Sequence, residues 1–129
     1  MVDEDDIKPI LWVGSSKRDL MDMPPVVRSD FGYGLHQAQI GEFPDSAKPL
    51  TGFGGASVIE LVHDHKGDTF RAVYTVQFPG VIAVLHSFQK KSKRGAETPK
   101  QDKELIHSRL KLAVELYKDW KNKRGKSNG

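Results

Sequence analysis

The sequence predicts an α+β domain: about four mostly antiparallel strands, with two N-terminal helices and one C-terminal helix. Three observations predict it. Residues 57–88 hold three β-rich runs joined by tight-turn sequences, the pattern of an antiparallel meander. After Thr98-Pro99, apolar side chains recur at Ile106, Leu110, Ala113, Tyr117 and Trp120, in steps of four and three, as on a core-facing helix. Ahead of the meander, two shorter segments repeat that helical spacing. With 129 residues the chain is long enough for one domain with a modest core and too short for two ordinary ones.

Taken in order, residues 1–7 form an acidic head, with Asp3, Glu4, Asp5 and Asp6 and no apolar pattern, and are expected to be disordered. The folded domain is expected over residues 8–121. Pro9 to Gly14, PILWVG, reads as a short first strand buried on both faces. Ser15-Ser16 can cap a helix from Lys17, with Leu20 and Met23 on one face. Pro24 and Pro25 end it, and the second proline suits the first position of the next helix. Val27, Phe31, Leu35 and Ala38 mark the buried face of that helix, which Gly32 and Gly34 weaken.

Gly41 to Ala47 reads as loop, and Gly52-Phe53-Gly54-Gly55 as a flexible turn before the meander. The meander comprises Ser57–His63, Thr69–Phe78 and Val81–Phe88. Its turns are Asp64–Asp68, centred on Lys66-Gly67, and Pro79-Gly80. In the middle strand Phe70, Ala72 and Tyr74 face opposite to Arg71, Val73 and Thr75. Beyond the last helix, residues 122–129 are expected to be a flexible basic tail.

The absence of cysteine excludes disulfides and thiolate metal sites. The acidic N-terminus is unlike a signal peptide and no window approaches a membrane span, so the chain reads as cytoplasmic, with no membrane contact. The formal charge is +3, but it is uneven: without its acidic head the chain would carry +7. Clustered lysine and arginine suit a polyanionic partner.

The most informative stretch is Val81 to Pro99, VIAVLHSFQKKSKRGAETP. An apolar strand runs through His86 and Phe88 into Lys90, Lys91, Lys93 and Arg94, and the first acid is Glu97. With Arg71 and Tyr74 on the neighbouring strand, these are the parts of a metal-free ribonuclease. RNA carries its own nucleophile, so a protein need supply only alignment, proton transfer and cations. Each residue also has a structural alternative. Arg71 could make a cross-strand pair, His86 could be a half-buried histidine, Tyr74 could be core, and Lys90 and Lys91 a solvated edge. His63 and His65 form an H-x-H pair, but no third ligand has matching spacing, so a polar hairpin is the better reading. His36 and His107 have nothing convergent near them in sequence.

KPL, the later EL, FRAVYTV, VLHSFQKKSK and TPKQDKELIHSRL together resemble the RelE/ParE toxin superfamily, nearest its HigB-like, phage-related branch. The resemblance spans Lys48 to Leu110. It implies a RelE-like fold and a toxin of a type II toxin–antitoxin pair that cuts mRNA on the ribosome without a cofactor or metal. It further implies a cognate antitoxin, in this branch a helix-turn-helix protein. Carried over, it gives Arg71, His86, Tyr74 and Lys90 catalytic roles, and Lys48, Phe88, Lys91, Lys93 and Arg94 contacts to RNA. Val62 departs from the pattern, since relatives commonly carry arginine after EL, and Arg94 to Glu97 lengthens the turn before the last helix. Two other readings are a ParE-like gyrase-binding toxin without nuclease chemistry and a non-enzymatic nucleic-acid-binding accessory.

Overall fold

The computed structural model describes residues 7–90 and 98–127. In chain order the elements are β1 (Ile10–Trp12), α1 (Ser16–Met21), α2 (Pro25–Gln39), β2 (Ala47–Pro49), β3 (Val58–His65), β4 (Asp68–Thr75), β5 (Ile82–Lys90) and α3 (Lys100–Ser127). The α+β class and its helix order are as the sequence predicts. The sheet has five strands in the order β1-β5-β4-β3-β2, one more than expected. The additional strand is β2, which sets Lys48 against Glu60 in an antiparallel pair with β3. Three residues ending in proline carry no readable alternation, and proline is tolerated there because the strand lies at the sheet edge. β1 is the other edge, parallel to β5 from Ile10↔Ile82 to Trp12↔Val84. As an edge it is only partly buried, where the sequence suggested burial on both faces.

The β3–β4 hairpin closes through Lys66 and Gly67, both at positive φ (50° and 84°), the handedness that matches strand twist. This two-residue turn fixes the register: Val62 lies opposite Arg71, and Glu60 opposite Val73. β4 stops at Thr75, short of the expected Phe78. There the Thr75 hydroxyl donates to the Ala56 carbonyl and accepts from the Gln77 amide, which turns the chain out of the sheet.

One face of the sheet packs on α1 and α2, through Leu20, Val27, Phe31 and Leu35 against Leu61, Ala72, Tyr74 and Val84. Gly34 belongs in this helix because a Cβ would stand 3.1 Å from the Leu61 Cδ1 atom. The other face packs on α3, through Ile106 and Ala113 against Val58, Val73, Ala83 and Leu85. Each face carries a contiguous apolar cluster, and burial of the two supplies the driving force for the fold.

α3 remains helical through Ser127, so residues 122–127 differ from the expected flexible tail. Pairs at helical spacing carry it on: Lys118 with Glu115 at 3.6 Å, and Lys123 with Asp119 at 3.4 Å. The Arg124 guanidinium also stands 5.0 Å from the centre of the Trp120 ring.

One irregularity positions the site. Val73 pairs with His86 and Tyr74 with Val84, which leaves Leu85 as the extra residue of a β-bulge. Leu85 and His86 consequently both lie toward α3, and the residues after them exchange faces relative to a regular strand.

Candidate active site

His86 stands where β5 passes the first turns of α3. Its Nε2 lies 2.7 Å from Asp102 Oδ1, and its ring stacks on Phe88 at 4.4 Å between centroids and 14° between planes. Its Nδ1 faces Arg109 Nη1 at 3.5 Å. Arg109 is itself held: Nη1 donates to the Leu85 carbonyl at 3.0 Å and Nη2 to Ser15 Oγ at 3.0 Å. Ser15 Oγ in turn donates to Asp19 Oδ2 at 2.6 Å. Three elements, α1, β5 and α3, therefore meet in one polar chain. His86, Phe88 and Asp102 also help line an open cleft of about 680 Å³, whose walls among the described residues include Asp19, Asp22, Ser87, Gln89 and Gln101.

Burial holds the His86 imidazolium below its ordinary pKa of 6.5. The hydrogen bond and charge of Asp102 act in the opposite direction, while the Arg109 charge adds to the lowering. Near neutral pH the ring is therefore neutral and able to accept a proton. The same shift gives a stability prediction. As pH falls, the unfolded chain takes up this proton before the folded one does. The folded state is thus expected to lose stability below about pH 6.5, levelling off once His86 protonates within the fold. Urea unfolding at a series of pH values, wild type against His86→Gln, checks this. Identical pH profiles for the two proteins would show that His86 contributes nothing to the dependence.

The remaining expected site residues fall in three places. Arg71 is buried and bound to the fully buried Glu60, Nη1 to Oε1 at 2.6 Å. Thr98 donates to the other Glu60 oxygen at 2.8 Å, and Lys48 Nζ lies 3.9 Å from Oε1. Arg71 and Lys48 are thereby gathered around a carboxylate. Lys90, at the end of β5, is buried as well. Tyr74 is buried in the core under α2, on the face of the sheet opposite His86, and burial pushes its phenol up to about 12. The structure brings His86 and Phe88 together and separates Tyr74 from both. Tyr74→Phe is accordingly expected to leave toxicity unchanged in a growth assay, and loss of toxicity would show that the phenol reaches the chemistry. Lys91, Lys93 and Arg94 lie outside the described residues.

Among the described residues no cluster of three or more His, Cys, Asp or Glu side chains could hold a metal ion. His63 of the H-x-H pair bonds Asp30 through Nδ1 at 2.8 Å. No described helix is long and apolar enough to cross a membrane.

Asp102, Arg109, Ser15 and Glu60 were not among the expected site residues. A signal was nonetheless present: Asp102 and Arg109 flank Ile106 at steps of four and three, on the same stripe that continues to Ala113. Charged residues in line with core positions of a buried helix face point inward by construction.

The family model described as phage derived protein Gp49-like matches residues 18–111, from α1 to the middle of α3. The chain belongs to this family. It is a RelE/HigB-like toxin family, so the match and the sequence motifs lead to the same branch. The matched span of this Gp49-like chain contains His86, Asp102, Arg109 and the Arg71–Glu60 pair. Among solved structures, the toxin–antitoxin complex RelBE2 from Mycobacterium tuberculosis is similar, with 16% sequence identity and a TM-score of 0.45. That similarity covers 70% of this chain and 100% of that one. Comparison with curated proteins gives no match.

Proposed function

We propose that this Gp49-like toxin is a ribosome-dependent mRNA endoribonuclease that arrests translation in the cytoplasm and is neutralised by a separate antitoxin, a helix-turn-helix protein. The observation that carries this reading is the neutral His86 at the cleft, hydrogen-bonded to Asp102 and stacked on Phe88. In this reaction the ribose 2′-OH gives its proton to His86, and its oxygen forms a bond to the adjacent phosphorus. The bond from phosphorus to the 5′ oxygen breaks, leaving a 2′,3′-cyclic phosphate. The departing 5′ oxygen takes a proton from the imidazolium or from water.

Asp102 supports this by holding the ring in one orientation and stabilising the imidazolium as it forms. Phe88 extends the flat surface on which an unpaired base can stack. Lys90, Lys91, Lys93 and Arg94 are the cations proposed to neutralise the phosphate, with Lys48 at the far edge of the sheet. Arg71 is reassigned from a catalytic role to organising Glu60. Because the nucleophile belongs to the substrate, the chemistry calls for no cofactor.

The test is induction of the chain without an antitoxin, following amino-acid incorporation and mapping mRNA 5′ ends. Protein synthesis is expected to stop, with new cuts in translated messages. Continued synthesis accompanied by loss of DNA supercoiling would replace this reading with gyrase binding.

A further inference from the structure

We propose that Arg109 is a positioning residue of this site, which fixes His86 as the tautomer protonated on Nε2 and so makes Nδ1 the basic atom. The role of that basic atom in RNA cleavage rests on the function proposed above; the tautomer itself does not.

The inference starts from the direction of each hydrogen bond. A guanidinium only donates. Its Nη1 caps the carbonyl of Leu85, the bulge residue, and faces His86 Nδ1 at 3.5 Å. A proton on Nδ1 would point at the guanidinium hydrogens, donor against donor. The proton is therefore driven to Nε2, where Asp102 accepts it at 2.7 Å. The second arm of the fork is directed too. Ser15 donates to Asp19, so its lone pair is what meets Arg109 Nη2. Donation runs one way, from Arg109 through Ser15 to Asp19.

Backbone space completes the clamp. Gly14 has φ +58°, and a Cβ there would lie 2.7 Å from Arg109 Nε and 2.9 Å from Cζ. No L side chain fits that position without moving the guanidinium. The contact to Nδ1 is long and weak, so the nitrogen keeps its lone pair for a better donor such as a ribose hydroxyl. The charged groups around His86 are Asp102 and Arg109 on α3 and Asp19 on α1, with Asp22 on the same cleft wall. Of these, Arg109 alone opposes the imidazolium, so its removal leaves only carboxylates in attendance.

The test is ¹⁵N NMR of both His86 ring nitrogens in the full-length protein, titrated from about pH 8 to about pH 5, the range in which histidine changes charge. Wild type is expected to show the Nε2–H tautomer. Arg109→Gln should mix the tautomers and move the titration midpoint upward, since one of the two influences that lower it is removed. Arg109→Lys keeps the charge but loses the fork, and should mix the tautomers with a smaller upward shift. Gly14→Ala should mix them with no charge removed.

An Nδ1–H tautomer in wild type overturns the proposal, and that measurement needs no variant to fold. So does a folded Arg109→Gln protein with unchanged tautomer and midpoint. Failure of the nuclease reading is distinguishable: His86→Gln would remain fully toxic while the tautomer in wild type was as expected.

Discussion

His86→Gln is expected to fold, to bind its antitoxin and to cut mRNA about 10²- to 10⁴-fold more slowly, the usual contribution of a positioned acid or base. Glutamine can still bond Asp102 and fill much of the space beside Phe88, so the fold has little reason to fail. It cannot accept a proton from a ribose hydroxyl. The measurement is the rate of message cleavage on programmed ribosomes, with thermal unfolding as a control. A folded variant that cleaves at the wild-type rate would remove His86 from the chemistry. Asp102→Asn should fall between the two proteins, because the orienting contact survives while the charge that stabilises the imidazolium does not.

Arg71→Ala is expected to destabilise the fold by about 3–5 kcal/mol, because it strands the fully buried Glu60 carboxylate. That is a large share of the roughly 5–15 kcal/mol that holds a domain together. Pairing it with Glu60→Leu should restore most of the loss, since replacing both members of a buried ion pair costs far less than removing one. Urea unfolding of the two single variants and the double variant measures the coupling. The double variant also separates structure from catalysis. If it folds and remains toxic, Arg71 acts on Glu60 alone. If it folds and is inactive, the guanidinium itself meets the phosphate and the site extends across the sheet to β4.

The parts of the fold legible in the sequence are those set by period and punctuation. Thr69–Thr75 alternates, α3 keeps its stripe from Ile106 to Trp120, and proline or glycine marks the ends of the elements. β2 was not legible because three residues carry no period. The helical end of α3 was not legible because its support comes from charge pairs and a ring–cation contact, not from an apolar face. The Arg71–Glu60 pair depends on register, and a turn placed only within Asp64–Asp68 leaves the register open. Once the turn is the two residues Lys66 and Gly67, Glu60 becomes the diagonal neighbour of Arg71 on the same face. His86 and Phe88 were legible as the titratable and aromatic end of a cation-bound strand. Their partners on α3 were not, because contact between β5 and α3 is tertiary.

The bulge at Leu85 has a consequence for how such a site can arise or vanish. Along β5 the identity of each side chain is set by the genetic message, but the side of the sheet on which it appears is set by counting. Removing the single codon for Leu85 would take out the extra residue and leave His86 through Lys90 on the sides they now occupy, in a regular ladder with β4. What the strand would lose is the Leu85 carbonyl that anchors Arg109 and the Leu85 side chain beneath α3. Straightening the strand with Leu85 retained would instead turn the imidazole and phenyl ring beneath α1 and α2, with no site residue mutated. Among homologues, a strand one residue shorter can therefore still carry this histidine toward α3.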